Sequence, residues 1–214
     1  VGDHHQRWNG YLDLGHVDPL TGAPILRNLV GATTGDELRQ REDTFVGVRA
    51  LTLRANGIPG SYDLAGLQAI HRHLFQDVYE WAGELRTVGM QKGASAFLAP
   101  DEIEPVFVRI AEVIAERDNL RDVQDRDFPK ALAVVYGAVN GVHPFREGNG
   151  RTQREFVTAL ARESGRSLDW TLVRGPVNDM ASEAARNGDR SGLQHMFEQI
   201  VTPAPAPAVQ LPTP

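Results

Sequence analysis

The sequence predicts an all-α domain, mostly helical, that carries one small β-hairpin. Three observations lead there. Most of the chain falls into stretches whose apolar residues recur at helical spacing, several opened by Thr or Asp and closed by Gly. One stretch, "DFPKALAVVYGAVNGV", is apolar almost all round, the pattern of a buried central helix. Only "GELRTVGMQKGASAFLAP" breaks the helical pattern mid-chain, with short extended pieces on either side of a Gly-containing turn.

Taken in order, the segment to about residue 34 is rich in Gly, Pro and Asn and reads as irregular chain packed on something else. The next stretch, "TTGDELRQREDTFVGVRALTLRANG", is a helix that Thr34 can cap, with Asp36 and Glu37 in its first turn and Gly57 as its stop. "DLAGLQAIHRHLFQDVYEWAG" is a second helix, capped by Asp63 and ending near Gly83. Extended pieces around Leu85–Val88 and Ser95–Leu98 form the expected hairpin. "APDEIEPVFVRIAEVIAERDN" is a third helix, and the apolar central helix follows. Pro144 stops that one, because proline lacks an N–H and pushes the residue before it out of the helical region. "REFVTALARES" begins another helix, and stretches at about 176–187 and 190–201 complete the set. The expected boundaries are one domain over residues 1–201 and a Pro/Ala-rich tail or linker over 202–214, extended and disordered.

The bulk numbers narrow the function. A chain of 214 residues has room for a real core, and 41% hydrophobic with 23% charged residues is ordinary for a globular protein. A formal net charge of -6 argues against nucleic acid as a partner, since such binders show a basic face. With no cysteine, the chain offers neither disulfides nor thiol chemistry, which fits a reducing compartment. No apolar run approaches the roughly 20 residues that a membrane span needs. The N-terminus lacks the apolar core of a signal peptide and does not begin with Met, so a piece of a longer protein is expected.

The chemistry gathers in "HPFREGNGRTQR", His143 to Arg154. Arg151 and Arg154 fall in the expected first turn of a helix, where the unpaired N–H groups and the helix dipole already carry positive charge. Cations are out of place there unless something negative arrives. Gly148, Asn149 and Gly150 precede that turn. Glycines let a ligand approach the backbone, and successive N–H groups cradle an anion. A polyphosphate resolves the conflict: the cradle binds it and the two arginines fork onto its oxygens. Glu147 is a single carboxylate beside that site, the usual way of holding Mg2+ next to phosphates. An unperturbed imidazole, with a pKa of about 6.5, suits a general base, and His143 is the candidate for that role. Phe145 is expected in the core, fixing the loop. Taken singly, a Gly-Asn-Gly triplet is a turn, a His before Pro is structural and a Glu is solvated; their joint arrangement is what points to phosphate chemistry. Other phosphate motifs are missing: there is no G-x-x-x-x-G-K-[ST], and the Gly148–Gly150 pair lacks the third glycine of a dinucleotide fingerprint. His71 and His73 stand two apart and cannot share a metal on one helix face, so they read as packing or surface residues.

This stretch matches the Fic family signature, H-x-F-x-[DE]-G-N-G-R-x-x-R, at every fixed position. "HRHLFQDVYEWAGELRTV" and "KGASAF" resemble the segment leading into the family's flap hairpin, and "GAPILRNLVG" resembles its N-terminal region, so the likeness spans roughly residues 20–200. The resemblance implies a helical fold with a flap at about 84–99 and the catalytic loop at 143–154. It implies transfer of AMP from ATP to a Tyr, Thr or Ser hydroxyl of a target protein, with release of pyrophosphate. His143 would then be the base and Glu147 the Mg2+ ligand. Gly148, Asn149 and Gly150 would form the anion hole, and Arg151 and Arg154 would bind the outer phosphates. Lys92, Ser95, Ala96, Phe97 and Leu98 of the flap would dock a strand of the target. The flap could equally be a plain solvent hairpin, and Phe97 a core residue.

Two other readings stay open. Some relatives transfer phosphate, UMP or phosphocholine, although the intact G-N-G-R core favours AMP. A nucleotide-binding docking module without transfer would have no use for His143. Family members act as bacterial toxins in the cytoplasm or as effectors delivered into host cells. Many are inhibited by a glutamate in [ST]-x-x-x-E-[GN]. Here Thr33–Glu37 has the spacing but is followed by Leu38, and Ser182–Asn187 has Arg186 where the glutamate belongs. The expectation is therefore a separate small inhibitor (antitoxin) protein, with Glu37 as the alternative.

Overall fold

The computed structural model describes residues 10–57, 60–92 and 95–203. Helix α1 is Gly35–Asn56, and the expected signals bound it. The Thr34 hydroxyl accepts from the Glu37 N–H, Asp36 and Glu37 fill the first turn, and Gly57 takes a φ of 79° just past the end. The Glu37 carboxylate accepts from the Thr33 N–H (2.9 Å) and hydroxyl (3.1 Å), so Thr33, Thr34 and Glu37 together close the helix start. Helix α2, Leu64–Phe75, opens on Asp63, whose carboxylate accepts from the Gly66 N–H at 2.8 Å.

Helix α2 ends at Phe75, well before Gly83 where the sequence reading ended it. The apolar spacing of Val78, Tyr79 and Ala82 does continue the helical stripe, which is why the sequence reads on, but the chain turns: the Val78 and Tyr79 N–H groups both donate to the Phe75 carbonyl at 2.9 Å, and i to i+3 bonds follow at Ala82 and Glu84. Helix α3, Ile103–Ala115, follows a short 3-10 turn at Pro100–Glu102. Helix α4 is Phe128–Val142, and only Lys130 and Val134 along it are exposed, as its all-round apolar pattern requires. Helices α5 (Asn149–Glu163), α6 (Gly175–Arg186) and α7 (Ser191–Ile200) complete the helical set.

Strand structure is wider than one hairpin. In the N-terminal segment, read from sequence as irregular, β1 (Leu12–Val17) pairs antiparallel with β2 (Pro24–Leu26). The flap pair is β3 (Gln91–Lys92) with β4 (Ser95–Ala96), in register Gln91↔Ala96 and Lys92↔Ser95. Its first strand is therefore later than the expected Leu85–Val88, because Arg86 and Val88 are drawn into the core. β5 (Arg166–Leu168) pairs with β6 (Val201–Pro203), so Thr202 and Pro203 are ordered strand rather than tail. The rest of the expected tail, 204–214, and the histidines at 4 and 5 lie outside the described residues.

The chain clusters into two units, to both of which α4 and α5 give residues. The first comprises Val1–Val113 and Ala138–Phe156. Its core holds Leu67, Ile70, Leu74, Phe75, Phe107, Phe145 and Phe156, all essentially inaccessible to solvent. The second comprises Ile114–Gly137 and Val157–Pro214. There Phe197 meets Tyr136 and Trp170 edge-on, and the Tyr136 hydroxyl donates to Asn178 at 2.9 Å. Arg166 lies over the Phe128 ring at 4.2 Å and pairs with Asp125 at 2.7 Å. Among the described residues no helix is long and apolar enough to cross a membrane.

Candidate active site

The loop between α4 and α5 belongs wholly to the first unit. Its first residue, His143, takes a φ of 48°, a left-handed backbone that costs a non-glycine residue about 1–3 kcal/mol. Pro144 explains part of this, since it bars His143 from continuing the helix. The rest comes from what grips the turn. Arg86, only 2% exposed, donates from Nε to the His143 carbonyl at 2.7 Å. Its Nη atoms donate to the carbonyls of Val88 (2.8 Å), Val142 (3.2 Å) and Leu98. The Arg86 N–H also donates to the Pro144 carbonyl at 2.8 Å. One buried guanidinium thus ties the end of α4 to both flanks of the flap, and burial pulls its pKa below the ordinary arginine value.

The His143 ring stacks on Phe97, centroids 3.8 Å apart and 15° from parallel. Phe97 is 8% exposed, so of the two readings open for it the core one holds: it is turned to the histidine, not displayed for a partner. Lys92 and Ala96 are exposed on the flap, and Leu98 is half-buried with its carbonyl on Arg86. The side chain of Ser95 lies outside what is described.

Further along, Asn149 closes the loop on itself. Its Oδ1 accepts from the Phe145 N–H (2.9 Å) and its Nδ2 donates to the Phe145 carbonyl (2.7 Å). Phe145 is fully buried, as expected. Gly148 has a φ of 78°, and a Cβ there would stand 2.3 Å from Cζ of Phe75, so only glycine fits. The Gly148 N–H donates to Glu147 Oε1 at 2.9 Å, which puts the carboxylate against one of the expected cradle donors. Gly150 is exposed with open space where a side chain would be.

His71, read from sequence as packing or surface, is buried under this loop. The Gly83 N–H donates to its Nδ1 at 2.8 Å, so Nδ1 is the acceptor and Nε2 carries the proton. Nε2 therefore donates to the Glu147 carbonyl at 3.0 Å. The ring stacks between Phe145 (3.9 Å) and Phe75 (4.7 Å). Burial, opposed in part by the bond to Glu147, pushes its pKa down to about 4, so it stays neutral at physiological pH.

The two arginines part company. α5 begins at Asn149, so Arg151 is in the first turn, but Arg154 falls in the second, against the expectation that both would share the first. The Arg151 guanidinium lies 4.9 Å over the Phe75 ring. It meets carboxylates from two elements: Glu42 of α1 at Nη2, Asp43 at Nη1 (3.3 Å), and Glu147 at 3.6 Å. The negative charge that first-turn arginine calls for is already partly supplied within the chain. Glu42 was missed by sequence reading, yet a signal existed. With Leu38, Val46 and Leu53 it forms the inward stripe of α1, where an acid stands out. Arg86 left no such signal, since its partners are main-chain carbonyls.

For a metal, Glu147 is the fitting donor, its side chain 44% exposed beside the loop. Among the described residues there is no group of three or more His, Cys, Asp or Glu that could enclose an ion. A Mg2+ ion here would take its remaining ligands from phosphate oxygens and water, which is the ordinary arrangement for Mg2+.

The chain is similar to known proteins over most of its length. The family model described as Fic/DOC family matches residues 61–161. Protein adenylyltransferase VbhT of Bartonella schoenbuchensis is 39% identical over 87% of this chain and 39% of its own length, so the chain spans about two fifths of that relative. A probable protein adenylyltransferase of Sinorhizobium fredii is 40% identical over 71% of this chain and 79% of its own. The crystal structure of BepC, a VirB-translocated effector of Bartonella tribocorum with bound AMPPNP, superposes with a TM-score of 0.84 at 25% identity, covering 92% of this chain and 98% of that one. With the loop, the helical frame and these likenesses together, the chain belongs to the Fic/DOC family.

Proposed function

We propose that this chain is a protein adenylyltransferase domain that moves AMP from ATP to a hydroxyl side chain of a target protein. The observation that carries the reading is the 143–154 loop, where a histidine, a carboxylate, a glycine-flanked turn and two arginines occupy adjoining positions in a family whose compared members are named as adenylyltransferases. His143 takes the proton of the target hydroxyl as its oxygen bonds to the α-phosphorus. The bond from that phosphorus to the bridging oxygen breaks, pyrophosphate leaves and an AMP ester remains. Phe97 stacked on the ring and Arg86 on the carbonyl hold His143 in place for that transfer. Glu147 is the residue that would hold Mg2+, which when bound lowers the charge of the phosphates. The backbone from Gly148 to Gly150, with Arg151 and Arg154, binds the phosphate oxygens. Catalysis is then mostly positioning and charge stabilisation. The flap pair β3–β4, on which Gln91, Lys92 and Ala96 are exposed, is the docking edge for an extended segment of the target.

The proposed domain takes in β6 and so extends to Pro203. Its setting is the cytoplasm, of the producing bacterium for a toxin or of a host cell for a delivered effector. A separate small inhibitor is favoured over Glu37, because the Glu37 carboxylate is engaged at Thr33, where those hydrogen bonds hold its pKa below the usual carboxylate range. The test is incubation with Mg2+, ATP labelled at the α-phosphate and a cell lysate, beside His143→Ala. His143-dependent label on protein, absent with γ-labelled ATP, is the expected result. Label from γ-labelled ATP alone would overturn the assignment.

A further inference from the structure

A carboxylate on the inward stripe of a helix needs a reason. Glu42 lies between Leu38 and Val46 along the buried face of α1, and its side chain is 8% exposed. A leucine there would serve packing at no electrostatic cost, whereas a buried acid must be compensated by partners. Glu42 has two. Oε2 accepts from the Tyr79 hydroxyl, and Oε1 accepts from Arg151 Nη2. Tyr79 is itself 1% exposed, its ring stacked on Trp81 at 4.3 Å. Burial and then the charge of Glu42 push its pKa up, so it remains a donor. The acceptor that meets Arg151 is therefore anchored from behind by a group that cannot move.

From the position of Glu42 we infer that it is a positioning residue which sets the Arg151 guanidinium for phosphate before nucleotide arrives. The inference rests on the reading that Arg151 binds nucleotide phosphates. Three features favour aiming over locking. Glu42 engages a single nitrogen of the fork, so most of the five N–H groups of Arg151 remain for a ligand. The guanidinium is also held from below, over Phe75, while its own side chain stays 33% exposed. Asp43, the other α1 acid on Arg151, is 69% exposed and can yield to an incoming phosphate, whereas Glu42 cannot. A long side chain fixed at two points loses less freedom on binding, and that gain appears as affinity.

The test is the dissociation constant of a non-hydrolysable ATP analogue with Mg2+, measured by calorimetry beside a thermal melt. Four proteins are compared: wild type, R151A, E42Q and the E42L/Y79F pair, which restores an all-apolar stripe. The pair should stay folded and bind the analogue about tenfold more weakly. E42Q, which keeps the shape but not the charge, should fall between wild type and R151A. Placed on R151A, neither change should weaken binding further, because both act through that arginine; a merely structural role would add its loss in either background. Wild-type or tighter affinity in E42Q, with R151A impaired, overturns the inference, and tighter binding would make Glu42 a lock. If R151A itself binds like wild type, it is the reading of the phosphate site that fails, whatever Glu42 does.

Discussion

Replacing Gly148 with alanine tests the geometry of the loop most directly. Two costs add. A residue with a side chain at φ 78° costs about 1–3 kcal/mol. The new Cβ would also stand 2.3 Å from Cζ and 2.4 Å from Cε2 of Phe75, which is fully buried and cannot swing aside, so overpacking adds roughly 1–3 kcal/mol. Together the loss is roughly 2–6 kcal/mol, which for a chain of this length lowers the thermal midpoint by about 5–20 °C. The assay is a thermal or urea melt of Gly148→Ala, of Phe75→Leu and of the double variant. Leucine removes the ring tip that the Cβ would strike, so the double variant should be about 1–3 kcal/mol more stable than the sum of the single changes predicts. The strain of the left-handed backbone should persist in it. A midpoint for Gly148→Ala within about 2 °C of wild type, or strict additivity in the cycle, would refute the reasoning.

Other expectations follow from the groups packed around the loop. With its pKa pushed down from 6.5 to about 4, His71 is neutral in the folded chain, and the unfolded chain binds the extra proton first. Stability from this group is thus complete above about pH 6.5 and falls by about 3 kcal/mol as pH drops to about 4, and His71→Gln should flatten that part of a pH-dependent urea series. Arg86→Lys keeps the charge but cannot reach four carbonyls in one plane; transfer to a target protein should fall at least about tenfold while the affinity for the ATP analogue stays within about twofold. Glu147→Gln should abolish the Mg2+ dependence of nucleotide binding, seen as equal affinities with Mg2+ and with EDTA.

What could be read ahead of the structure was what neighbouring residues state together. Thr34 and Asp63 mark helix starts by accepting from N–H groups three positions on, Gly57 marks an end by its positive φ, and all three stand where they were expected. The loop from His143 to Arg154 is contiguous, so its residue types and spacing were legible in full. Unread were the contacts that cross the chain. Arg86 reaches carbonyls 56 and 57 residues away, His71 one 76 away, and Glu42 an arginine 109 away. The pairs β1–β2 and β5–β6 were missed for a related reason: β2, β5 and β6 are three residues each, too short for alternation to declare itself. Of the cross-chain contacts only Glu42 left a trace, an acid where the helical stripe asked for an apolar residue.

The double bond of Asn149 to the backbone of Phe145 has a consequence for what changes this loop can absorb. The amide side chain reproduces one rung of a β-ladder, donating and accepting at a single residue four positions back. The segment between is thereby a closed ring of set circumference. Aspartate could still accept from the Phe145 N–H but could not donate to its carbonyl, so even this near-isostere opens the ring. A substitution at Arg146, which takes no part in the closure, leaves the ring its size. One inserted or deleted residue anywhere from 146 to 148 does not, because the amide then meets the wrong peptide. Besides the glycine at 148, length is what descent or engineering must preserve here.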